Sequence, residues 1–159
     1  MLLLREVADL IQSTPRSDAS GAKCHFYEVG GIGIKTWTRR DIAEDCFEKQ
    51  IKIAELGFAP KVYGDLFEAE NHHGDIVWCY QTELAAVIGS ALPKWDDGDF
   101  EEMESCIECA NDMVYASNRE MGKIGWTDDD DHRYNWGIMP DGKIVCIDFD
   151  HVRETHEWT

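Results

Sequence analysis

Basic residues are scarce in this chain: 15 Lys and Arg stand against 32 Asp and Glu, a formal net charge of −17. A field of that sign repels nucleic acid and anionic membrane surfaces and attracts basic partners at long range. Long apolar runs are lacking as well. No segment approaches the roughly 18 apolar residues needed to cross a bilayer, and the opening MLLLREVADLIQS has neither a basic n-region nor a small-residue cleavage site. The six cysteines follow no disulfide framework and mostly sit inside apolar runs, which points to reduced thiols and a cytoplasmic protein. Cys106 and Cys109 fall within a helical pattern without a second pair at zinc-ligand spacing, so they read as packing residues.

What is present argues for a folded protein. Hydrophobic residues make up 43% of 159, with six Trp and six Phe, enough for one domain or one small two-lobed unit with a real core. The negative charge is concentrated: thirteen acidic residues against two basic ones lie between Asp96 and Asp131. Its plainest reading is a solvated face that keeps the protein soluble.

In chain order, Leu3, Val7, Leu10 and Ile11 predict an amphipathic helix over residues 2–12. A small-residue turn over 16–23 leads to strands at 24–29 and 32–37, joined by Gly30-Gly31. Phe47, Ile51 and Ala54 line one face of a helix over 39–56, stopped by Gly57. Two more strands, 60–64 and 76–82, flank a polar tip with His72 and His73, read as solvated loop. Composition turns loop-like after Leu84, which divides the chain into 1–84 and 85–159. Apolar positions from Phe100 to Ser117 predict a helix whose other face carries Glu101, Glu102, Glu104, Glu108 and Asp112.

The stretch from Thr127 to Val152, TDDDDHRYNWGIMPDGKIVCIDFDHV, carries the chemistry. A loop from Asp128 to Asn135 precedes a turn at Met139-Pro140-Asp141-Gly142 and an apolar strand ending at Asp148. A hairpin here folds Asp130, Asn135 and Asp148 towards one point. An amide and a carboxylate are suitable oxygen ligands for magnesium, and a second carboxylate suits the acceptance of a proton from an attacking hydroxyl.

Asp130-Asp131-His132-Arg133-Tyr134-Asn135 followed by Ile147-Asp148-Phe149 resembles the catalytic loop and metal-binding strand of the protein-kinase-like superfamily. The closest style is that of its aminoglycoside phosphotransferase and choline kinase branch. The element order extends the resemblance over most of the chain. It implies an α+β, two-lobed protein-kinase-like fold. The first lobe, 1–84, would hold an N-terminal helix, a five-strand antiparallel sheet and one helix; the second, 85–159, would be a truncated helical lobe. It also implies ATP and magnesium as cofactors. Lys35 is then the phosphate-binding lysine and Glu48 its helix partner, with Glu44 in reserve. Asp130 is the catalytic base and Asn135 and Asp148 are metal ligands. Thr82, Glu83 and Leu84 lie at the adenine-binding hinge, and Gly21 is the glycine of the phosphate-covering turn.

The chain departs from the pattern at that turn, where Gly21 is the only glycine. Gly30-Gly31-Ile32-Gly33-Ile34-Lys35-Thr36 imitates a phosphate-binding Walker loop but has Ile34 where glycine must precede the lysine. Asp128 stands where many relatives have His, and four successive aspartates repel one another, so one of them is expected to hold a proton more readily without metal. The expected activity is a minimal magnesium- and ATP-dependent phosphotransferase acting on a protein, in the style of the pared-down kinases of viruses and pathogens, acting in the host cytoplasm. The alternative is a kinase-fold acidic module, weakly active or inactive, that captures a basic protein or imitates nucleic acid. A third reading is an unrelated α+β domain whose acidic loop binds a structural metal.

Overall fold

The computed structural model describes residues 1–13, 24–92 and 98–155. They divide into two units, Met1–Glu55 with Pro60–Leu84, and Leu56–Ala59 with Ala85–Thr159.

The first unit starts from a glycine turn. Gly30 and Gly31 take φ of 55° and 79°, the pair of positive values that a two-residue hairpin loop requires. That turn joins β1 (His25–Val29) to β2 (Ile32–Trp37), and the sheet continues through β4 (Ile76–Glu83) to β3 (Val62–Glu70), in the order β1-β2-β4-β3. All pairings are antiparallel. Four strands therefore stand among the described residues where five were expected. β3 runs beyond the expected end at residue 64, through a register shift between Tyr63 and Phe67. Gly64, with φ of 71°, permits that irregularity.

Alternation along β4 gives the sheet two covered faces. Val77 and Cys79 join Tyr27, Ile34 and Ala69 in a core closed by Val7 and Ile11 of α1 (Leu4–Ser13). A ten-residue helix is marginal alone, and burying these two side chains is worth about 1.5–3 kcal/mol each. Gln81 adds a clamp, donating to Leu2 O at 2.8 Å and accepting from Leu2 N at 2.7 Å. On the opposite face Tyr80 stacks on Trp37 and meets Phe47 edge-on, with centroids 5.3 and 5.2 Å away. Phe47 belongs to α2 (Arg40–Glu55), whose buried stripe is Ala43, Cys46, Gln50 and Ile53. That stripe is rotated from the one the apolar spacing predicted, because Gln50, a polar residue, lies at its centre.

The second unit is built on α4 (Phe100–Lys123), which continues past Ser117, the predicted end. Two elements, β5 (Ala86–Val87) and α3 (Ile88–Ala91), occupy a stretch read as loop. β5 pairs with β7 (Trp136–Ile138), which pairs with β8 (Ile144–Cys146) in the expected hairpin. Its turn is closed by Gly142 N donating to Met139 O at 2.8 Å. Backbone pairing also joins β6 (Trp126–Asp128) to β9 (Val152–Glu154), a strand the sequence did not announce. Among the described residues no helix is long and apolar enough to cross a membrane. Glu101, Glu102, Glu104, Glu108 and Asp112 are exposed along α4.

Candidate functional site

In the first unit, β2 places Lys35 with only 8% of its surface exposed. Its Nζ donates to Gln50 Oε1 at 3.1 Å and lies 5.9 Å from the Tyr80 ring centroid. The helix side chain that meets the lysine is thus Gln50, which corrects the expected Lys35–Glu48 pair. The reason is helical phase: two residues turn a helix by about 200°, so Glu48 emerges exposed on the other side of α2. The reserve candidate, Glu44, pairs instead with Arg40 at 2.6 Å.

Gln50 is fully buried, and each end of its amide is engaged. Oε1 also accepts from Tyr80 Oη at 2.9 Å, while Nε2 donates to Pro60 O at 2.9 Å and to Thr82 Oγ1 at 2.7 Å. Thr82 is therefore a buried sheet residue, opposite Gly33 and Val62 in the ladders. Glu83 N donates to Lys61 O at 2.9 Å, and the Glu83 carboxylate accepts from Lys61 N at 2.8 Å. Of the three expected hinge residues, Leu84 alone lies past the end of β4. Gly21 lies outside the described residues.

In the second unit the four successive aspartates are held in four different ways. Asp128, 2% exposed, accepts from Trp136 Nε1 at 2.9 Å and from Asp130 N at 3.0 Å. Burial raises its pKa above the ordinary value, with a smaller push from Asp148 and Asp131. Asp129 pairs with Arg153 at 2.6 Å. Asp131 accepts from Asn118 Nδ2 at 2.9 Å. The same Asn118 amide donates to Asp128 O and accepts from Asp128 N, both at 2.9 Å, so α4 fixes the start of the loop.

Asp130 keeps half of its side chain exposed. Its Oδ2 receives Asn135 Nδ2 at 3.2 Å and lies 3.4 Å from His132 Nε2. His132 Nδ1 accepts from Tyr134 N at 3.2 Å, which leaves the ring proton on Nε2, facing Asp130. Asn135, 7% exposed, also donates to Asp130 O at 2.8 Å. Its own carbonyl accepts from Ile147 N at 2.9 Å and Asp148 N at 3.4 Å, which closes the thirteen-residue spacing. Asp148 is exposed, and its Oδ1 accepts from Asp150 N at 3.2 Å. Asn135 thus joins Asp130 through its side-chain amide and Asp148 through its backbone carbonyl.

Each of these three residues keeps one side-chain oxygen: among the described residues Asp130 Oδ1, Asn135 Oδ1 and Asp148 Oδ2 carry no hydrogen bond. No group of three or more His, Cys, Asp or Glu suited to hold a metal stands among these residues. Magnesium does not demand one, since it keeps several waters and takes one or two protein carboxylates besides phosphate oxygens. Asn135 Oδ1 and Asp148 Oδ2 are oxygens of the type it takes.

Sequence reasoning missed Gln50, Asn118 and the structural role of Asp128. The available signal was a polar residue inside an apolar helical stripe, at Gln50 among Ala43, Cys46 and Ile53 and at Asn118 among Ala110, Val114 and Met121.

The fold is protein-kinase-like. No protein-family model matches the chain, and no curated protein matches it at the level of sequence. Solved structures do match. WbdD, described as a bifunctional kinase-methyltransferase, aligns over 86% of this chain and 31% of its own, at 16% identity and a TM-score of 0.51. A co-crystal of WbdD with the kinase inhibitor LY294002 aligns over 89% and 34%, again at 16% identity and a TM-score of 0.51. Choline kinase LicA from Streptococcus pneumoniae aligns over 93% of this chain and 67% of its own, at 12% identity and a TM-score of 0.38. The chain spans about a third of the WbdD chain it matches.

Proposed function

We propose that this chain is a magnesium- and ATP-dependent phosphotransferase with a protein as its acceptor. The observation that carries the reading is the set of leftover oxygens on Asp130, Asn135 and Asp148, held in place by partners that occupy their other atoms. Asn135 and Asp148 would hold magnesium, which neutralises phosphate charge when bound. Asp130 Oδ1 accepts the proton of the acceptor hydroxyl, while His132 and Asn135 fix its other oxygen. Lys35 binds phosphate oxygens, and the backbone of Leu84, just past the end of β4, faces the adenine. On this reading the first unit is the sheet-bearing lobe of a kinase-like domain and the second its catalytic-loop lobe. Incubation with magnesium and γ-labelled ATP in the presence of protein acceptors tests it. Transfer should occur and fall about 100-fold or more in Asp130→Asn, the usual worth of a general base. Transfer that is absent, or unchanged in the variant, contradicts the assignment.

A second reading rests on the exposed acidic residues of α4 and the net charge of −17: an acidic surface that captures a basic protein, with little catalysis. Its association would weaken steeply with salt. Salt-independent capture of neutral or acidic partners would remove it.

A further inference from the structure

We propose that Gln50, a neutral amide, is the positioning residue that presents Lys35 to the phosphates of a bound nucleotide. The inference rests on the phosphotransferase reading for the ligand, and on the structure alone for the lysine. Lys35 is a long, flexible side chain on the middle of β2, and to receive phosphate its ammonium must be kept at one place on the sheet. Gln50 Oε1 accepts from that ammonium at 3.1 Å. Rigidity comes from the rest of the amide. Nε2 is locked between Pro60 O and Thr82 Oγ1, so the amide cannot turn over without setting Nε2 against the lysine and the Tyr80 hydroxyl. The four groups that fix Lys35 in this way come from α2, from the segment before β3 and from two neighbouring positions of one face of β4.

The arrangement explains why an amide and not a carboxylate stands here. A glutamate would retain the acceptor for Lys35 but would turn a second oxygen towards the Pro60 carbonyl, where no proton is available between them. A positioning role therefore separates from a packing role: glutamate should restore the lysine and not the stability, and leucine should lose both.

The test is mass-spectrometric labelling of lysine amines, and in parallel of cysteine thiols, in the full chain, with and without magnesium and ATP. Exposed Lys61 serves as the reference amine, and Cys79 as the reference for global opening. Cys79 is fully buried on the other face of β4, and burial pushes its thiol up to about 12. In Gln50→Leu, Lys35 should label about tenfold faster relative to Lys61 while Cys79 stays protected, the loss expected of one hydrogen bond of ordinary strength. Gln50→Glu should return Lys35 to the wild-type rate with a lowered melting temperature. In the wild type, ATP with magnesium should protect Lys35 further, and Gln50→Leu should weaken that protection about tenfold. Equal Lys35 labelling in wild type and Gln50→Leu overturns the positioning role. So does acceleration that Gln50→Glu does not reverse, or that appears only together with Cys79. Lack of ATP protection in the wild type overturns the nucleotide reading, and the comparison of variants without ATP still decides the role of Gln50.

Discussion

The lysine region of the first unit and the aspartate loop of the second are anchored alike and finished differently. Each hangs on a buried amide in the apolar stripe of a helix, Gln50 on α2 and Asn118 on α4. Around Gln50 the connections run through a hydroxyl, a phenol, a backbone carbonyl and one ammonium. Around Asn118 they lead into four carboxylates, of which buried Asp128 has both oxygens engaged, while Asp129, Asp130 and Asp131 each engage one. Asp130 shares its engaged oxygen with the Asn135 amide. Buried polar groups must be satisfied because leaving one unpaired costs about 1–3 kcal/mol. Unpaired oxygens at exposed positions cost little, and those are where ligands are taken.

The largest effect that sharpens this contrast is expected from Asp128→Ala. It leaves Trp136 Nε1 and Asp130 N without an acceptor, and should lower unfolding stability by about 2–3 kcal/mol in denaturant melts at neutral pH. The cost should depend on pH. Because the folded pKa of Asp128 lies above its unfolded value, the native state binds the extra proton. Wild-type stability relative to the variant should therefore fall as pH rises from the unfolded value through the folded one, then level off. A loss below about 0.5 kcal/mol, the level of an ordinary surface change, would mean that the loop is not held by this carboxylate.

A smaller effect separates the two networks by their charge. Thr82→Val removes one acceptor of Gln50 and should cost about 1 kcal/mol, the same at low and high salt. Arg153→Ala removes the partner of half-exposed Asp129; it should cost less than about 1 kcal/mol, and that cost should shrink as salt is added. Equal salt dependence of the two variants would erase the distinction between a neutral and a charged scaffold.

Much of the architecture could be read from local signals. Gly30-Gly31 marks its hairpin, the Met139–Gly142 turn marks another, and the apolar period after Phe100 marks α4, because each depends on neighbours in sequence. The backbone meeting of Asn135 with Asp148 was also legible, since one hairpin accounts for it. What escaped reading depends on partners distant in sequence. β5 and β9 exist only because β7 and β6 pair with them. α4 looked shorter because Asn118 interrupts its apolar stripe where the helix meets the loop. The resemblance implied Glu48 as the lysine's partner, whereas helical phase brings Gln50 to it.

The central claim is that Asn135 and Asp148 carry their free oxygens for magnesium and nucleotide. Calorimetric titration of ATP, with and without magnesium, into the wild type and Asp148→Ala tests it most directly. Asp148 is exposed, so the variant should keep its fold. Saturable binding in the wild type that requires magnesium and disappears in Asp148→Ala is the predicted result. Binding that is absent from the wild type, or that survives in Asp148→Ala with unchanged dependence on magnesium, would contradict the account.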